Sequence, residues 1–199
     1  SEAELAAEKA KDDPILWDRD FDFRHLYRVD VAAGGEAPAE PVRLTAGRFH
    51  VVKAAWIPGG DRIALVHQPT PGADDWVETA LALVPAKPAD GPYAKEDLTA
   101  IAELADRAPE PMPSPDGRWI ACVTGDRPPR WGGSNRVVLY PSDGGEPCEL
   151  PPTPDADCWL IGWSAAGDRL YAADRAGLDA YVWALAVTGY EITPVHSDA

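Results

Sequence analysis

The chain has 199 residues, 33 acidic and 18 basic side chains among them, and a formal net charge of −15. Such a negative field repels phosphate backbones and anionic lipid, so we expect no nucleic-acid partner and no membrane partner. The sequence has no apolar run near the roughly 20 residues of a membrane span and no signal-peptide core, and we expect a cytoplasmic protein.

The first predicted element is a helix-prone arm over residues 1–13. Its Ala, Glu and Lys residues favour a helix, and Asp13 ends it because the residue before a proline is excluded from the helical region. The remaining residues, 14–199, carry all 21 prolines and all 17 glycines of the chain. This frequency of proline and glycine is typical of short strands joined by many turns and predicts an all-β fold.

A turn motif recurs three times in the all-β part. Gly60, Gly117 and Gly167 each follow a turn-forming pair and precede an apolar, strand-like run. The three copies are WIPGGDRIALV at Trp56–Val66, PSPDGRWIACV at Pro113–Val123 and WSAAGDRLYAA at Trp163–Ala173. A period of roughly 40–50 residues with one tight hairpin per period predicts the blades of a β-propeller.

The repeat divides the chain into about half a blade and three four-stranded blades. The half blade covers residues 14–46, and the complete blades cover residues 50–105, 110–151 and 158–196. Because propellers close with roughly 4–8 blades, we predict a partial β-propeller with open ends. Such a piece belongs to a longer protein or self-associates with another copy through its open blade edges.

Three strings of the sequence resemble a known family. SPDGRWIACV at Ser114–Val123, RHLYRVDV at Arg24–Val31 and PVRLT at Pro41–Thr45 are similar to blade repeats of the prolyl oligopeptidase family of serine peptidases. The resemblance is to the N-terminal propeller of its acylaminoacyl-peptidase-like branch. The Asp-Gly hairpin also resembles the repeats of TolB-type propellers.

The resemblance to the peptidases implies a non-catalytic role for this chain. In that family the propeller caps a C-terminal α/β-hydrolase domain and restricts the access of peptide substrates to it. The chain would then have such a hydrolase domain as its partner, and the peptide would be the substrate of the parent enzyme. The alternative is a TolB-type protein-interaction propeller without enzymatic activity.

The most interaction-like stretch of the sequence is the loop Arg127–Ser134. It contains Arg130 and Trp131, two residue types that are enriched in binding hot spots. We predict an interaction loop there, and the alternative is that Trp131 packs between blades.

We expect no catalytic residue, cofactor or metal in this chain. Ser164 lies in GWSAA, which lacks the second glycine of a GxSxG nucleophile elbow, so we interpret it as a blade-turn residue. The histidines at 25, 50, 67 and 196 show no metal-binding spacing and are interpreted as solitary. The cysteines at 122, 148 and 158 form no CxxC pair, and a disulfide between Cys148 and Cys158 is the alternative to three thiols.

Overall fold

A computed structural model describes residues 2–10, 21–31, 39–88, 90–104, 109–126, 128, 130, 133–189 and 191–195. Helix α1 covers Glu2–Ala10, within the predicted arm, and its Leu5 is exposed. In the described ranges, no helix has the length and apolar character needed to cross a membrane.

The described strands form four antiparallel sheets. The two-stranded sheet pairs β1 (Tyr27–Arg28) with β2 (Val42–Arg43). The first four-stranded sheet consists of β3 (His50–Trp56), β4 (Arg62–Gln68), β5 (Ala80–Pro85) and β6 (Thr99–Glu103). The second consists of β7 (Met112–Pro113), β8 (Trp119–Thr124), β9 (Arg136–Pro141) and β10 (Cys148–Glu149). The third consists of β11 (Trp159–Trp163), β12 (Arg169–Ala176), β13 (Asp179–Ala186) and β14 (Ile192–Pro194).

Each four-stranded sheet is a meander in which neighbours in sequence are neighbours in space. Two short 3₁₀ helices, Ala73–Val77 and Lys95–Asp97, lie in the connections that flank β5. The prediction of an all-β partial propeller is confirmed: half a blade, β1–β2, is followed by three blades. We refer to these as the half blade and blades 1, 2 and 3.

The hairpin that joins the first two strands of a blade is built by local turn chemistry. In blade 2, the Ser114 hydroxyl accepts a hydrogen bond from the Trp119 backbone N–H at 3.0 Å and donates one to Asp116 at 2.6 Å. Gly117 then adopts a φ of +72°, a conformation that side chains with a Cβ disfavour. The turn is therefore specified by residues within one hairpin, which is why the repeat is readable in the sequence.

The core lies between the blades. Along β4, Ile63 and Leu65 pack toward the half blade, whereas Ala64 and Val66 pack toward blade 2. A strand buried on both faces reads as a continuous apolar run, as this one does. A third cluster, which includes Leu139, Leu170 and Leu185, joins blades 2 and 3. Burying each such leucine contributes on the order of 1.5–3 kcal/mol.

Strands β1 and β7 are only two residues long. The alternating run from His25 to Val31 contributes only Tyr27–Arg28 to a sheet. The inner strand of blade 2 is limited to Met112–Pro113 because Pro111 and Pro113 have no backbone N–H to donate to the sheet.

The three cysteines are thiols, so the alternative of a Cys148–Cys158 disulfide is not realised. Cys122 is buried between blades 1 and 2, and burial raises the pKa of its thiol far above the usual range. It acts as a small apolar core residue.

Candidate functional site

The connections between strands lie at two opposite ends of the blades, since neighbouring strands run antiparallel. One end carries the β2–β3, β4–β5, β8–β9 and β10–β11 connections, and we name it the start face because the inner strands begin there. The opposite end, the turn face, carries the hairpins around Gly60, Gly117 and Gly167.

The predicted interaction loop belongs to the start face. Arg130 lies in the β8–β9 connection with its side chain exposed, and its carbonyl accepts a hydrogen bond from the Gly133 N–H at 3.2 Å. Trp131 lies outside the described residues. The interaction role of this loop stays a prediction.

Three histidines that the sequence pattern leaves solitary come together around Phe49 on the start face. The rings of His25 and His67 stand edge-on to the Phe49 ring, with centroids at 5.5 Å and 5.6 Å. His50 follows Phe49 directly, and its Nδ1 accepts a hydrogen bond from the Arg24 backbone N–H at 3.2 Å. We name His25, His50 and His67 the histidine cluster.

The histidine cluster sits at the junction of the half blade and blade 1. Thr45, which is fully buried, positions His25 within the half blade: its Oγ1 accepts a hydrogen bond from the Leu26 N–H at 2.9 Å and lies 3.2 Å from His25 Nδ1. Sequence reasoning missed this cluster because its members lie on separate elements. A signal was present, since His50 and His67 stand at the start-face ends of β3 and β4 and His25 precedes β1.

Burial and nearby cations disfavour protonation of all three imidazoles. Burial, with a smaller contribution from Lys95, lowers the pKa of His67 to about 4. Burial and the Arg43 guanidinium lower the pKa of His25, and burial, Arg24 and His25 lower that of His50. The imidazoles are therefore neutral at pH 7. The charged side chains that lower their pKa values are the cations Arg24, Arg43 and Lys95.

Two arginines and two phenylalanines flank the histidine cluster and form a second feature, which we name the basic ledge. The Arg48 guanidinium lies over the Phe23 ring at 5.7 Å, and Phe23 contacts Phe21 edge-on at 6.3 Å. Arg24 and Arg48 are exposed. The ion pairs within the described residues involve other arginines: Arg28, Arg62, Arg118 and Arg136.

A cleft of about 580 Å³ opens beside His67. Its walls are formed by β5, β6 and the connections that flank them. Leu81, Leu98 and Ile101 are among its apolar residues, and its charged residues are Lys95, Glu78 and Glu103. Clefts of this volume are of the size that small ligands occupy in proteins.

The structure places Ser164 in the hairpin turn of blade 3, on the turn face. Its hydroxyl donates to Asp168 at 2.7 Å and accepts from the Arg169 N–H at 3.1 Å, which repeats the role of Ser114 in blade 2. This bonding makes Ser164 a turn residue, in agreement with its interpretation from sequence. Within the described residues, no group of three His, Cys, Asp or Glu side chains is arranged to hold a metal ion.

Comparison with protein families and with curated proteins gives no match. Among solved structures, the chain is similar to a protein of Agrobacterium tumefaciens assigned as TolB, with a TM-score of 0.54 and 15% identity over 79% of this chain and 50% of that chain. The likeness supports a partial β-propeller fold. At this identity the likeness shows the fold alone.

A second solved structure gives a weaker match. It is a Bacteroides uniformis protein assigned as a 6-phosphogluconolactonase, with a TM-score of 0.41 and 16% identity over 78% of this chain and 45% of that chain. The chain thus spans about half the length of the structures that it matches.

Proposed function

We propose that this chain is a non-catalytic binding segment of a β-propeller and that its start face is the binding surface. The observation that carries the proposal is the grouping of the histidine cluster and the basic ledge at one end of the blades, in a chain whose net charge is −15. Arginine and aromatic residues are enriched in binding hot spots. The exposed Arg130 stands on the same face.

A second candidate is the propeller cap of a prolyl oligopeptidase family serine peptidase. It is favoured by RHLYRVDV and PVRLT, the two strings that contain β1 and β2 and so build the half blade. In this role the segment would restrict peptide access to a C-terminal α/β-hydrolase domain. The chemistry would then belong to that partner domain.

Peptide hydrolysis separates the two candidates. Fluorogenic aminoacyl and acyl-aminoacyl peptides are incubated with this chain alone, and with this chain together with the product of the downstream coding sequence. We expect no turnover in either mixture if the chain is a binding propeller. Turnover only in the combined mixture supports the peptidase cap, and turnover by the chain alone contradicts both candidates.

A further inference from the structure

Resting on the binding function above, we propose that the basic ledge and His50 bind a carboxylate-rich peptide segment of a protein partner. Arg24 and Arg48 would receive the carboxylates, and Phe21 and Phe23 would contact the apolar parts of the same peptide.

The residues of this surface are held in place before any ligand arrives. Backbone pairing fixes Arg24 against the first strand of blade 1: its carbonyl accepts from the Val51 N–H at 3.0 Å, and its N–H donates to His50 Nδ1 at 3.2 Å. The contact of Arg48 with the Phe23 ring restrains the Arg48 guanidinium. Preorganised groups lose less conformational entropy on binding, which favours affinity.

Two local cations, Arg24 and Arg48, favour an anionic ligand at this surface, although the net charge of the chain is negative. Neither arginine makes an ion pair with a described acidic residue. In the sequence, Asp18, Asp20 and Asp22 precede Arg24. The cations Arg24 and Arg43 also act on the imidazoles of the histidine cluster. A bound carboxylate would offset the effect of Arg24 on the protonated form of His50, so binding would raise the pKa of His50.

The shape of the surface favours a peptide. Arg24 and Arg48 are exposed, and Phe21 and Phe23 are half-buried beside them, so the ledge is an open surface. Arginine presents a planar fork of donors that matches a carboxylate, and aromatic rings add apolar contact area. Phosphate shares the anionic chemistry and is therefore one arm of the test.

The experiment is fluorescence anisotropy with labelled peptides of about ten residues, in which Gly alternates with Glu, Lys or Ser. We expect the Glu peptide to bind the complete chain and the Lys and Ser peptides not to bind. Raising the salt concentration from about 50 to about 500 mM should weaken binding several-fold, because exposed charge pairs are screened.

The matched variants carry the same change of net charge. Arg24→Glu/Arg48→Glu should weaken binding of the Glu peptide at least about tenfold, whereas Arg169→Glu/Lys87→Glu, away from the start face, should change it less than about twofold. The milder Arg24→Gln/Arg48→Gln variant should give an intermediate loss of affinity for the Glu peptide. It replaces the charge-reversal variant if charge reversal impairs folding. NMR titration of the histidines should show a higher pKa for His50 with the Glu peptide present.

Three results would overturn the proposal: no binding of the Glu peptide, equal binding by the two charge-reversal variants, or inorganic phosphate that binds as tightly with the same arginine dependence. A fourth result would overturn only the proposed carboxylate ligand: the Ser or Lys peptide binds the chain, and Arg130→Ala abolishes that binding. The start face would then still be a binding surface. Turnover of fluorogenic peptides by the chain alone would overturn the binding function itself.

Discussion

His67 is the most deeply buried member of the histidine cluster. Its side chain is buried on β4, packs edge-on against Phe49 and lies near Lys95. Here an imidazole serves as an aromatic packing residue, because its neutral ring fits the junction of the half blade and blade 1. Protonation would place a charge inside that junction, which explains the pKa of about 4.

We predict that His67 makes the fold acid-sensitive. Between pH 6.5 and about 4 the unfolded chain binds a proton at this position and the folded chain does not, so the free energy of unfolding falls as the pH falls. The expected loss is about 2 kcal/mol after allowance for solvent screening. Urea unfolding of the wild type and of His67→Gln, measured across this range, should show a steeper loss in the wild type.

The comparison cancels the titration of the many carboxylates, which both proteins share. Equal pH slopes in wild type and His67→Gln would show that His67 has the same pKa in the folded and in the unfolded chain. Its burial would then carry no energetic cost.

At the scale of elements, the blade turn both shapes a hairpin and joins two blades. Gly117 has a φ of +72°, and a Cβ there would lie 3.3 Å from the Pro58 carbonyl and 3.4 Å from Ile57 Cγ2 in the turn of blade 1. Gly144 has a similar φ of +84°, but nothing lies within 4 Å of its Cβ position. Comparing the same substitution at the two glycines therefore separates the cost of backbone strain from the cost of crowding between blades.

We predict that Gly117→Ala lowers the free energy of unfolding by about 2 kcal/mol, from the left-handed backbone and the tight contact with Pro58 together. Gly144→Ala, which adds only backbone strain, should cost about 1 kcal/mol. Chemical denaturation of both variants measures the difference. Equal losses would mean that the turn of blade 1 moves aside freely.

Turn chemistry explains why most of the fold could be predicted from sequence. Ser114, Asp116 and Gly117 act within one hairpin, so their pattern is visible locally and sets the blade period. The histidine cluster could not be predicted in this way. His25 and His67 meet only because the half blade packs on blade 1, and this contact depends on tertiary packing.

At the scale of the whole molecule, no further sheet within the described residues covers either end of the blade array. Val66 is buried under blade 2, and the corresponding residue of blade 3, Ala173, pairs with Trp159, which is 53% exposed. Ile161, beside it, is 51% exposed. At the other end, Tyr27 is 53% exposed on the half blade. Apolar faces of this kind favour association with another sheet.

We predict that the isolated chain of 199 residues self-associates through these open ends. Sedimentation velocity should show dimers or larger species at about 100 μM, and Trp159→Glu should weaken the association at least about tenfold because it buries an unpaired charge in the contact. Leu5→Glu is the control, since Leu5 is 58% exposed but lies on α1, outside the four sheets. A monodisperse monomer at that concentration would contradict the prediction, and equal weakening by both variants would place the contact elsewhere. If Trp159→Glu alone yields monomers, the apolar face of blade 3 is the surface that takes up the next sheet.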